Sequence, residues 1–485
     1  MFFYLTFACF LASLVLGGPT KHASLQDALL QLCAVPLLLL AGWRLCNLPT
    51  TREMRWSLAF CAAILALPLI QLIPLPPLIW TQLPGREALV STYTLLGRSP
   101  DWAAISLSGQ ETWLSMLSLL PPLTLFLAVL TLDWRECRLL SLLLVAFAVL
   151  SAFVALLQAA QGVDSPFRFY NVDLRDPSPV GFFVNRNHLG ALLYCGAAFA
   201  TAWLLASYDA VRLDQDRIDH QTIVTMAGSA FALVALVSVE LVVRSRAGVL
   251  LLFLGLGALP ILAAIRPSPH AEFDGAESES LGRRRWLPVA AAFIVLALVA
   301  FFFVGWSSIQ GVFDRFGADP LSDERPVFAR VTFFATKAFM PVGSGLGSFV
   351  SAYQMFEKPR DMFSGVYANH AHNDLLELAL ETGMAGLMLL CVFIVWLVTR
   401  ARKVWTAINR PVIDVYLQDA AMVVIFLFLG HSLMDYPLRT NALLSVFAFA
   451  CALLIKAPGG GEAHTQGKAH QDRRRRRDAL AQNAA

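Results

Sequence analysis

A chain of 485 residues that is 57% hydrophobic and only 15% charged is not an ordinary soluble domain, because a single core rarely buries several all-apolar helices. The formal net charge of +3 decides little, since the placement of basic residues matters more than their sum in a membrane protein. Composition predicts an all-α polytopic membrane protein with no nucleic-acid partner.

Twelve apolar segments approach or reach spanning length, taking about 20 residues as the need of a bilayer core. They are 2–18, 25–43, 57–74, 113–132, 138–160, 187–206, 222–242, 247–265, 286–306, 374–399, 417–433 and 440–456. The first lacks a basic leader and reads as a retained helix rather than a cleaved signal. Pro36 and Pro68 fall inside the second and third, where neighbouring helices can satisfy the freed carbonyls. The eight cysteines (Cys9, Cys33, Cys46, Cys61, Cys137, Cys195, Cys391 and Cys451) lie in or beside apolar runs with no C-x-x-C, so neither disulfides nor a cysteine metal site is expected.

Basic residues set the orientation. The tail 457–485 carries Arg473 to Arg477 and is expected to be disordered and cytoplasmic. The loops with Arg400, Arg402, Lys403 and Arg410, with Arg266 and Arg283 to Arg285, and with Arg44, Arg52 and Arg55 then fall on the same side. The outer side receives the Pro-rich loop 75–111, the loop 161–186, a tight turn at 243–246, and a long loop, 307–372, whose length marks it as functional.

Five polar clusters gather at that outer side: NRNH (185–188), RSR (244–246), DERPVFAR (323–330), NHAHNDLLELALETG (369–383) and HSLMDYPLR (431–439). Polar groups facing lipid cost several kcal/mol each, so the clusters should share a wet cavity. Asp374, Glu377 and Glu381 are spaced three and four apart, on one helix face. They either cap and solvate a helix end or line that cavity, with Asn373 or Asp374 as the cap. His372 beside carboxylates is suited to take a proton from an attacking hydroxyl; His370 ranks below it. Two histidines are too few for zinc catalysis, and no metal or other cofactor is expected.

Arg246 and Arg330 have the planar fork that suits phosphate oxygens. Glu240, four residues before Arg244, is expected to pair with it and leave the ligand to Arg246. Gly343, Gly345 and Gly347 form either an anion nest or, preferably, a tight re-entrant turn. Segment 327–339 mixes phenylalanines with Arg330 and Lys337 and reads as an interfacial helix.

VNRNHLGALL, RSRAGVLLL, R-x(6)-AFMPVGSGLGSF and HAHNDLLELALETGMAG stand in the order used by the O-antigen ligase superfamily, which also holds polysaccharide polymerases. The resemblance is densest over 181–390, within a membrane unit of 1–456. It implies an inverting, metal-independent glycosyltransferase of the bacterial inner membrane, working at the periplasmic face. The donor would be a glycan on undecaprenyl diphosphate. The acceptor would be a sugar hydroxyl of lipid A–core or of a growing glycan, and membrane lipids surround the site. Carried over by position, His372 would assist the attacking hydroxyl while Arg246 and Arg330 hold the diphosphate. Asn185, Arg186, His188, Arg244, His370, Asp374 and Glu377 would bind substrate. A histidine at 370 as well as 372 departs from many members.

Two other readings compete. A polymerase would extend lipid-linked repeats with the same chemistry. A transporter of polysaccharide or lipid-linked sugar suits twelve spans, but no internal repeat is visible and the charges gather at one rim rather than at the midplane.

Overall fold

The computed structural model describes residues 1–20, 24–49, 51–170, 178–213, 219–265, 324–363, 367–406 and 412–456. In chain order the helices are α1 (Phe2–Leu16), α2 (Leu25–Asn47), α3 (Arg52–Gln71), α4 (Pro77–Trp80), α5 (Glu87–Leu95), α6 (Gly109–Ser118), α7 (Leu120–Thr131), α8 (Trp134–Gln161), α9 (Arg186–Leu213), α10 (His220–Val243), α11 (Arg246–Ile265), α12 (Arg325–Phe339), α13 (Phe349–Gln354), α14 (Asp374–Thr406), α15 (Val412–His431) and α16 (Asn441–Ile455). The strands among the described residues are a two-residue antiparallel pair, Pro74–Leu75 with Ala103–Ala104, inside the Pro-rich loop.

Nine helices among the described residues are long and apolar enough to cross a membrane, and α1 and α16 are shorter apolar helices. The chain is an all-α, multi-pass membrane protein. The expected span 286–306, the loop 307–323 and the basic tail lie outside the described residues.

Local sequence sets the helix starts. Asp133 accepts from Glu136 N while the Glu136 side chain accepts from Asp133 N, a capping box that opens α8. Pro326 stands in the first turn of α12, where its missing N–H costs nothing. At the centre lies α9, flanked by α8, α10, α11 and α15. Its buried face is rich in small residues (Ala191, Ala197, Ala198, Ala200, Ala202), and a Cβ at Gly196 would stand 2.5 Å from Ala148. Small residues permit close approach where apolar burial gives no driving force between helices in lipid.

The long outer loop returns to α14 through the glycine run. Gly383 interrupts α14 at φ 60°, ψ −147°, a conformation open essentially to glycine alone. Onto this kink the turn docks by backbone pairing: Ser344 N to Leu380 O and Gly345 N to Glu381 O, each 2.9 Å, and Met384 N to Pro341 O, 2.8 Å. Gly343 N is held by Phe339 O and Leu346 N by Gln71 Oε1. These amides are already bonded, so the run is a tight turn and not an anion nest. This docking packs α12 along α14.

Candidate active site at one end of the bundle

His372 is joined to α14 by Asn373, whose Oδ1 accepts from Leu376 N at 2.9 Å as the helix cap. His372 itself has φ 50°, left-handed for a non-glycine residue. Its Nδ1 lies 3.0 Å from Asp435 Oδ1. An ionised carboxylate only accepts, so Nδ1 carries the hydrogen, and in the neutral form of the ring Nε2 presents its lone pair. The ring stacks on Phe328 of α12 at 5.9 Å and meets Tyr436 edge-on at 4.8 Å. Its side chain is 20% exposed, enough to meet a solute while the ring plane stays fixed.

Asp435 is fully buried. Burial alone would raise its pKa, but the His372 hydrogen bond and charge, with Arg325 at 3.7 Å, hold it well below the usual carboxylate range. Its Oδ2 accepts from Asn187 Nδ2. Asn187 Oδ1 in turn accepts from Ser245 Oγ at 2.9 Å. A hydrogen-bonded chain thus runs from His372 to the turn between α10 and α11.

Behind this lies a buried ion cluster. Arg439 Nη1 is 2.9 Å from Glu381 Oε2 and 3.4 Å from Glu377 Oε1, and its Nε is 3.4 Å from Asp374 Oδ1. Glu377 also accepts from His370 Nδ1 and Ala371 N, each 2.8 Å. Burial would lower the His370 pKa, but the charge and hydrogen bond of Glu377 outweigh it and raise it. Asp374, Glu377 and Glu381 therefore share a face, as their spacing predicts, but they do not solvate a helix end; they enclose Arg439.

The predicted residues divide by placement. Asn185 Oδ1 accepts from Asn187 N at 2.9 Å. Arg186 donates to Ser178 Oγ at 2.9 Å. His188 is fully buried between Phe183 and Tyr436, and neither ring nitrogen has a hydrogen-bond partner. The tight turn forms as expected, with Arg244 left-handed at φ 57° and Arg246 exposed at the head of α11. Arg330 is set apart. At 3.6 residues per turn it sits about 200° around α12 from Phe328, and it donates to Asp361 at 2.6 Å on the outward face.

The expected Glu240–Arg244 pair does not form. α10 ends at Val243 and Arg244 turns left-handed, so the four-residue helical spacing no longer aligns the two side chains. The Glu240 carboxyl is fully buried beside Gly190 and Gly248 instead, with neither oxygen hydrogen-bonded.

Six residues that sequence reasoning left unassigned complete the site: Asn187, Ser245, Arg325, Asp435, Tyr436 and Arg439. All lie inside the five polar clusters, and α12 carried a legible signal. Its apolar face (Phe328, Val331, Ala335, Phe339) points inward, which sets Arg330 outward.

The family model described as O-Antigen ligase matches residues 230–391. No curated protein matches the chain. The matched stretch holds the Arg244–Arg246 turn, α12, the glycine turn and His372, whereas Asn187 and Asp435, which join these parts, stand outside it. Over residues 230–391, about a third of its length, the chain is similar to the O-antigen ligase family.

Proposed function

We propose that the protein is an inverting, metal-independent glycosyltransferase that moves a glycan from undecaprenyl diphosphate to a sugar hydroxyl. The site faces the periplasm from the bacterial inner membrane. The single observation that carries this reading is the His372–Asp435 pair, a histidine whose proton-accepting nitrogen is set by a buried carboxylate. The acceptor oxygen attacks the anomeric carbon of the donor sugar and the bond from that carbon to the phosphate oxygen breaks. The hydroxyl proton goes to His372 Nε2, and the diphosphate leaves on its lipid. Arg246 meets the charge that develops on the diphosphate. Arg330, on the outer face of α12 beside Phe333 and Phe334, receives the donor from the lipid side. A ligase-type acceptor, lipid A–core, is preferred to a lipid-linked repeat.

The test is transfer by the purified protein in liposomes supplied with a lipid-diphosphate-linked glycan, with and without chelator. Release of lipid diphosphate by wild type in both conditions, and its loss in His372→Ala, supports the reading; normal turnover in His372→Ala removes it. A deletion strain separates acceptors: full-length glycan stranded on the carrier marks a ligase, single unpolymerised units a polymerase.

A further inference from the structure

We propose that Asn187 is a positioning residue that sets the distance between the proton acceptor His372 and the arginine turn at the head of α11. This rests on the reading of His372 as the base and adds a residue to it. Asn187 is buried in the first turn of α9, and Ser245 is buried immediately before α11. Between them and His372 every polar atom is used in one sense. Gly248 N donates to Ser245 Oγ at 3.1 Å, Ser245 Oγ to Asn187 Oδ1 at 2.9 Å, and Asn187 Nδ2 to Asp435 Oδ2. Asp435 Oδ1 receives His372 Nδ1 at 3.0 Å.

Only an amide fits the middle place. It must donate to a carboxylate on one side and accept from a hydroxyl on the other. Aspartate has no donor and sets a second charge beside Asp435; serine and threonine are too short to span both partners. Burial makes the choice costly to violate, because a stranded carboxylate or hydroxyl has no water to turn to.

A second observation bears on the two ends. Among the described residues, Arg244 (φ 57°) and His372 (φ 50°) are the non-glycine residues with positive φ. Such conformations are strained for a residue with a Cβ and persist where surrounding contacts over-determine them. One flanks Ser245 and the other is the base, so the chain of hydrogen bonds ties one strained position to the other. It also explains why α9, outside the family match, is needed: it supplies the link between two matched segments 127 positions apart at Ser245 and His372.

The experiment measures kcat and KM for the lipid-linked donor in liposomes, with Asn187→Leu, Ser245→Ala, Ser245→Thr and the Asn187→Leu/Ser245→Ala double variant. A shift of about 1 Å between base and anion site lowers kcat about 10- to 100-fold while KM stays within about twofold, because the loss falls on the transition state. Ser245→Thr keeps the hydroxyl and restores kcat. Both single variants break one chain, so the double variant is no worse than Asn187→Leu. Wild-type kcat in Asn187→Leu, a loss confined to KM, or multiplicative losses in the double variant overturn the proposal. If Asn187→Leu does not fold, the contrast between Ser245→Ala and Ser245→Thr decides alone. His372→Ala in the same assay separates the two readings. Turnover there removes the base; its absence together with normal Asn187→Leu and Ser245→Ala removes only the link.

Discussion

Arg439 and Glu381 are 58 residues apart in sequence and 2.9 Å apart in space. With Asp374 and Glu377 also around the guanidinium, Arg439 is the counter-charge for three buried carboxylates. Removing one partner of a buried ionic group strands the others, at a cost of about 3–5 kcal/mol. Arg439→Ala is therefore expected to lower the Tm sharply or abolish folded protein. Arg439→Lys, which cannot reach several carboxylates with a planar fork, falls between. Thermal unfolding in detergent measures both.

The same cluster predicts a pH dependence. The folded pKa of His370 is raised above the unfolded value of 6.5, so its ion pair with Glu377 contributes fully below that pH and is lost as pH rises through the folded value. The Tm of the wild type is expected to fall as pH climbs above 6.5, and His370→Gln, which keeps a donor but does not titrate, should flatten that slope. Equal slopes in the two proteins would show that the pair does not couple to stability.

Gly383 makes a separate mechanical prediction. A Cβ there would stand 2.2 Å from Pro341 O, at a backbone conformation closed to other residues. Gly383→Ala is expected to destabilise by about 1–3 kcal/mol. It should also loosen the docking of the Pro341–Gly345 turn, and so the packing of α12 that carries Phe328 against His372. Reduced Tm with a larger proportional loss of turnover is the expected pattern.

Asp435 fixes the tautomer and orientation of His372, so Asp435→Ala should lower kcat about 10²- to 10⁴-fold, approaching the whole contribution of general base catalysis. Its effect and that of His372→Ala should not add, because both remove one unit.

Much of this was legible in the sequence. Hydropathy located the long helices among the described residues, and the RSR turn forms where its position between two apolar runs put it. The clusters also named the right neighbourhoods. Which residue in each cluster makes the contact was not legible. Asn187 and Asp435 meet across 248 residues, and no local spacing encodes that encounter. The fork of Arg330 and its place before the Pro/Gly turn point to that residue, yet Arg325, at the start of the same helix, is the arginine 3.7 Å from Asp435. Neither sequence reading of the α14 carboxylates, a solvated helix end or a cavity lining, names their counter-charge, because Arg439 comes from a later segment.

The most direct test of the account is chemical rescue at His372. Glycine accepts the φ of 50° at this position without strain, so His372→Gly should keep the fold while removing the base. Turnover of a lipid-diphosphate-linked donor should fall about 10²-fold or more, and added imidazole should restore part of it. Undiminished turnover in His372→Gly without imidazole would contradict the account.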